Sequence, residues 1–315
     1  MALAGFNNAN VAAAQTAFST AVADAFDQDP PGIFRAFTKV ETGVAARYIT
    51  QIEMGATPVM TQWEGTRPRS GFRALSKRYD MRKYQATLEL DRTDVEWDTT
   101  GMVGKAIDRF LASQEYFADK LVMEEWLGNP TSVDGQALLS NSHPHGAANA
   151  SWDNLTTDVL GFDTFNSAMA AFRTLQFENS EFRDVNPNLL IVGPDLERTA
   201  KEITGSTTRP VSIATAGTLD GAAGGAQVDN VLYTGGTVNV LVSPRFNNGT
   251  NDDNWVITDT RFPMMELHIA RAVTAVSLTR PEDPERFDND VYLFGLECDY
   301  RAIPGSIYGC YGRLG

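Results

Sequence analysis

Between residues 99 and 130, apolar side chains recur at three- and four-residue spacing: Val103, Ile107, Phe110, Phe117 and Leu121, flanked by Leu111, Ala118 and Val122. That period predicts one amphipathic helix over residues 100–127, with Thr99 and Thr100 as capping hydroxyls and Gly128-Asn129-Pro130 closing it. At 1.5 Å per residue it is a rod of about 40 Å. Upstream, Ala13, Phe18, Val22 and Phe26 predict a shorter helix over 12–26, stopped by Asp29-Pro30-Pro31-Gly32. From 40 to 98 the pattern is extended, ending in a strand over 84–91. A polar, turn-rich stretch over 131–161 precedes a second region. There a helix is predicted over 162–175, a buried strand over 188–192 (NLLIV) and a helix from a cap at Asp195 to Ile203. Strands follow at 231–233, 238–242 and 255–259, then long β segments at 265–279 and 290–301 and a short one around 307–311. The Gly/Ala/Thr loop 206–227 is too long to be structureless in a compact domain without a reason. The fold class is α+β, without an internal repeat.

Length and charge sharpen this. At 315 residues, two compact regions plus extensions are expected. The chain carries −14, yet Arg67, Arg69, Arg73, Lys77, Arg78, Arg82 and Lys83 cluster against a single carboxylate, Asp80. This segment reads as a two-stranded excursion with a cationic tip and no hydrophobic core of its own. An isolated ribbon is marginal in water, so it is most simply explained if it lies on another copy of the same acidic protein. A solvated charged face is the plainer reading of the charges alone. Nucleic-acid binding fits less well, because the overall charge is negative and Phe72, Tyr79 and Tyr84 sit in no recognisable motif. No apolar run approaches a membrane span, and the N-terminus lacks the charged and apolar regions of a signal peptide. Two cysteines, Cys298 and Cys310, are too few for a disulfide framework. Together these point to a protein made in a reducing cytosol.

Candidate chemistry is sparse. His143 and His145 lie in Ser142-His143-Pro144-His145-Gly146, and His268 lies in a strand. The pair lacks metal-ligand spacing, and Ser142 lacks a nucleophile elbow, so a solvated turn is expected. The loop Gly217–Gly225 lacks the Lys-Ser/Thr of a phosphate cradle and reads as an inter-subunit or rim loop. The acidic run 247–254 misses the ligand alternation of a calcium loop and reads as a hairpin turn. No catalytic, cofactor or metal residue is assigned, and no cofactor is expected.

The run Trp63-Glu64-Gly65-Thr66-Arg67, the segment YQATLELDRTDVE over 84–96, Ser142-His143-Pro144 and the segment YLFGLECDYR over 292–301 resemble those of one family. Their order also matches: arm, basic extended loop, long helix, α/β region, terminal β segments. The chain resembles tailed-phage major capsid proteins with the HK97-type fold, and more narrowly the Mu-like major head subunits. Ser142 stands where that family carries Asp. The resemblance implies an N-terminal arm (1–45), an extended loop (46–98), a peripheral domain (99–160 and 262–300) with a spine helix, and an axial domain (161–261 and 301–315). It implies a non-enzymatic subunit that self-assembles as pentamers and hexamers into an icosahedral shell around double-stranded DNA, without sequence-specific binding or a membrane. The particle would assemble in the bacterial host cytoplasm, with portal and decoration proteins as further partners. Because Met1 leads at once into the arm, scaffolding is expected from a separate protein. Inter-subunit contacts are expected at Trp63, Arg67, Arg69, Phe72, Arg73, Lys77, Arg78, Arg82 and Lys83 on the loop, and at Phe6, Phe18, Phe26 and Phe34 on the arm. Charge would set register there, and the aromatic groups would supply affinity. An encapsulin-like compartment is the alternative, followed by a β-rich adhesin or tail protein and a hydrolase using Ser142 and His143.

Overall fold

A computed structural model describes residues 8–26, 32–54, 60, 62, 65, 74–97, 101–145, 150–177, 181–211, 226–230, 238–246, 253–279, 283 and 288–314. From the N-terminus, helix α1 (Asn8–Phe26) precedes a 3₁₀ turn (Ile33–Ala36), strand β1 (Thr38–Thr42) and the strands β2 (Tyr48–Met54) and β3 (Ala74–Asp80). Then come β4 (Arg82–Asp91), α2 (Arg92–Glu96), α3 (Met102–Glu115), α4 (Phe117–Leu127), β5 (His143–His145) and β6 (Ala150–Trp152). The second half holds α5 (Phe162–Thr174), β7 (Leu189–Val192), α6 (Glu197–Gly205), β8 (Thr208–Val211), β9 (Ala226–Asp229), β10 (Asn239–Val242) and β11 (Trp255–Thr258). Two long strands, β12 (Met265–Leu278) and β13 (Val291–Pro304), and the short β14 (Cys310–Arg313) complete the chain.

Two four-stranded sheets organise these elements. The first runs β1-β12-β13-β4, with β1 parallel to β12 and the other pairs antiparallel. Period-two alternation on β13 turns Tyr292, Phe294 and Leu296 to one face, where Phe18 and Val22 of α1 and Ile107 and Leu111 of α3 cover them. Phe18 meets Phe294 edge-on at 5.3 Å between ring centroids. The second sheet runs β10-β7-β11-β14. Helices α5 and α6 cover one side through Phe165, Phe172 and Ile203. The opposite side, with Ile191 and Val256, joins Trp126 of α4, Phe246, Met265 and Leu267 in a core shared by both sheets. Strand β7 is buried at all four positions because both faces are covered, as its unbroken apolar run predicts.

Several expectations are corrected. The long helix is broken at Tyr116 into α3 and α4. Ser113 Oγ donates back to Phe110 O at 2.7 Å, an intrahelical competitor that bends helices. Phe117 turns in between Tyr84 and Tyr300, at 5.0 and 6.0 Å. The apolar stripe therefore serves two cores, Ile107 and Leu111 in one, Leu121 and Trp126 in the other. Gly101, with φ 69°, precedes α3, while Thr99 and Thr100 lie outside the described residues. Helix α6 starts at Glu197 after a 3₁₀ turn through Asp195. Strand β4 is not a leg of the ribbon; it pairs with β13, and Asp91 ends it by accepting the Thr93 amide at 2.7 Å to start α2. The 206–227 loop has a hairpin stem, β8 on β9. The expected strand 231–233, the glycine-rich 217–225 and residues 247–252 lie outside the described residues.

Candidate assembly surface

The ribbon β2–β3 runs in register from Tyr48↔Asp80 to Met54↔Ala74. Alternation gives it two unlike faces. The inner face carries Ile49, Gln51, Glu53, Leu75, Lys77 and Tyr79, and it is seated on the subunit's own body. Ile49 and Tyr79 bury against Ile303, with Val44 and Met81 at the edge. Gln51 Nε2 donates to Pro304 O at 2.8 Å. Lys77 Nζ and Tyr79 Oη both donate to Thr131 O, at 2.7 and 3.0 Å. Burial raises the Tyr79 phenol above its usual range and lowers the Lys77 ammonium, opposed there by Asp134. The ribbon thus has a hydrophobic footing within its own chain, which corrects the expectation that it has none.

The outer face carries no such cover. Tyr48, Ile52 and Met54 are 46%, 59% and 66% exposed along one edge. Three large apolar groups thus stand uncovered on one strand. Arg78 lies over the Tyr48 ring at 3.8 Å and pairs with Asp80 at 3.1 Å.

The other expected contact residues divide. Trp63, Arg67, Arg69, Phe72, Arg73 and Phe6 lie outside the described residues. Arg82 and Lys83 stand on β4 within the first sheet, where they pair with Glu125 (3.8 Å) and Glu297 of the same chain. Phe18 and Phe34 are fully buried in the subunit's own cores, not held out as arm anchors, and Phe26 is half-buried beside Phe18's cluster. Their widely spaced positions serve the helix α1 and the following turn.

The expected solvated turn is also corrected at its centre. His143 is fully buried, with Nδ1 2.6 Å from Asp134 Oδ2 and Nε2 3.2 Å from Leu138 O. Both ring nitrogens are thereby engaged in bracing the turn that offers Thr131 O to the ribbon, while Ser142 Oγ contacts Ser140 Oγ at 3.3 Å. Asn129 closes the same turn, giving and receiving hydrogen bonds with the Leu139 backbone. His268 is likewise buried, between Glu41 (3.3 Å) and Glu266 (3.1 Å). Sequence reasoning missed this bracing function, because Asp134 and His143 are nine residues apart in no recurrent motif.

A second uncovered apolar strip lies on the face of the first sheet away from α1 and α3. Val276, Leu278 and Leu293 border a shallow concavity of about 150 Å³ whose floor includes Gly295, with Gln85 and Thr87 opposite.

A protein-family model described as phage capsid protein matches residues 74–311. No curated protein matches the sequence. Among solved structures, the bacteriophage JBD30 capsid superposes with a TM-score of 0.54 at 19% identity, over 76% of this chain and 99% of that one. The JBD30 procapsid gives 0.52 at 14% identity, over 98% of this chain and 76% of that one. The mature capsid of bacteriophage PhiM1 gives 0.55 at 10%, over 91% and 88%. At such identities the likeness is one of fold, and that fold is HK97-like.

Proposed function

The chain belongs to the phage capsid protein family, and from that premise we propose that it is the major head subunit of a tailed bacteriophage, closing into an icosahedral shell around double-stranded DNA. The observation that carries the reading is the two-faced ribbon, anchored inward on its own subunit and apolar outward at Tyr48, Ile52 and Met54. A ribbon so anchored keeps its direction, and its uncovered face fits a second copy of the chain. The cationic segment 67–73 suits an otherwise anionic partner; surface ion pairs contribute about 0–1 kcal/mol each, so in this reading charge sets register and apolar contact sets affinity. Many such weak contacts, repeated by symmetry as pentamers and hexamers, give a stable closed shell.

The finer reading follows the sequence resemblance: a Mu-like head subunit, assembled in the host cytoplasm with separate scaffolding, portal and decoration proteins. In it, 46–98 form the extended loop, 99–160 and 262–300 the peripheral domain, and 161–261 with 301–315 the axial domain. The role is structural and not catalytic. The engagement of both His143 nitrogens by Asp134 and Leu138 supports this, since it leaves Ser142 without a base from that ring.

Negative-stain electron microscopy of the expressed chain, with scaffold where needed, tests the reading. Closed polyhedral particles tens of nanometres across are expected, and discrete monomers or dimers under every condition would refute it. Reversing Arg67, Arg69 and Arg73 to Glu is expected to leave folded subunits that form no shells.

A further inference from the structure

We propose that strand β4 is a self-pairing edge, along which two copies of the chain join their first sheets antiparallel about a two-fold axis at Ala86. In the order β1-β12-β13-β4, strand β4 stands last, and β13 is its one strand neighbour among the described residues. Alternate backbone N–H and C=O groups of β4 therefore point away from the sheet, the template that a further strand uses. The edge is long and regular: ten residues, Arg82–Asp91, contain no proline and pair with β13 without a register shift. The sheet's other edge differs. Past Ile269, β12 outruns its pairing with β1, but register shifts at Ile269/Arg271 and Arg271/Thr274 break its line and blunt it.

The side chains of β4 select a second copy as the partner. On the face toward the helices, Tyr84, Ala86, Leu88 and Leu90 are only half-buried, whereas Tyr292, Phe294 and Leu296 of the neighbouring β13 are buried. A strand laid alongside covers the first set as β4 covers the second. On the opposite face the exposed positions run Lys83, Gln85, Thr87, Glu89, cationic at one end and anionic at the other. Lys83 meets Glu297 of its own chain, while Glu89 has no ion pair among the described residues. That polarity fixes the direction. A parallel copy in register sets like charges side by side, which destabilises the pair. An antiparallel copy centred on Ala86 sets Lys83 against Glu89 of the partner subunit, and Tyr84 against Leu88 of the partner subunit, each contact occurring twice by symmetry. The axis stands perpendicular to the sheet, so the helices of both copies stay on one side and the two four-stranded sheets become one. The pairing needs only two copies and stands whether or not they go on to close a shell.

Ala86→Cys in the full chain tests this, because directly opposed Cα atoms of an antiparallel pair lie about 4.5–5.5 Å apart, within disulfide reach. Mild oxidation is expected to give a covalent dimer on a non-reducing gel, from the soluble chain or from particles that it forms. Lys105→Cys, exposed on α3, is the control for random collision. Adding Lys83→Glu alone, or Glu89→Lys alone, is expected to lower the dimer yield about fivefold, and adding both together to restore it. A yield no higher than from Lys105→Cys, single reversals without effect, or a double reversal that fails to restore the dimer each overturns the proposal. A cross-linked, charge-sensitive dimer from a chain that forms no particles upholds the pairing and removes the shell reading alone. Where Ala86→Cys does not fold, hydrogen exchange of the wild-type chain decides. Protection of amides 82–91 that rises with chain concentration, while that of β7 stays constant, supports the pairing, and protection independent of concentration overturns it.

Discussion

The carboxylate of Asp119 and the guanidinium of Arg245 tie helix α4 to the turn after β10, Oδ2 to Nε at 3.2 Å. Asp119 is only 4% exposed, and its Oδ1 accepts the Phe34 amide at 3.1 Å. One side chain thereby fixes the exit of the arm and the edge of the second sheet. The approach is so close that a Cβ on Gly32, where φ is 148°, would fall 2.8 Å from Asp119 Cβ. Asp119→Ala strands a buried amide and a partly covered cation, and is expected to cost about 3 kcal/mol. A denaturant midpoint shift at unchanged slope would measure it; a loss under about 1 kcal/mol would show that the pair is not structural.

Trp126 is fully buried and stacks on Phe246 at 4.5 Å and 20°, yet its Nε1 has no hydrogen-bond partner among the described residues. Trp126→Ala is expected to cost about 3–5 kcal/mol through the cavity it leaves. Trp126→Phe loses less area and removes the unsatisfied donor, so it should cost under about 2 kcal/mol. Thermal melts of the two variants check the ordering.

Gly312 stands on β14 opposite Val256 of its antiparallel neighbour β11. A Cβ there would stand 2.2 Å from Trp255 O and 2.8 Å from Val256 Cα. Both are backbone atoms, which cannot swing aside. Gly312→Ala is expected to cost several kcal/mol and to be recovered mainly as insoluble protein, whereas Gly104→Ala, with open space at its Cβ, should be stabilising or neutral.

Burial pushes the thiols of Cys298 and Cys310 up to about 12, with Asn154 opposing this at Cys310. At pH 8 only about one thiol in ten thousand is a thiolate, and neither is accessible. A disulfide reagent is expected to titrate no thiol in the folded chain and two after denaturation.

The outer face of the ribbon separates assembly from folding. Ile52→Glu with Met54→Glu changes two groups already in water, so subunit stability should move by under about 0.5 kcal/mol. Particle yield should collapse. Normal particles would show that this strip is not the contact.

Local features were legible in the sequence because their causes are local. The three- and four-residue period around Ile107 and Leu111, the run NLLIV and the alternation of β13 each encode one element within a few neighbours. The cap at Asp91 was in view as a residue type, although its effect, ending β4 and opening α2, was not. Tertiary structure decided which face of each element is covered. Gln51 reaches Pro304 across 253 residues and Tyr79 reaches Thr131 across 52, and no spacing rule announces such pairs. The same holds for His143, whose turn composition reads as solvated until Asp134 and Leu138 close around it. A one-dimensional pattern states that an apolar face exists; only the folded chain determines whether that face meets its own body or remains open for another copy.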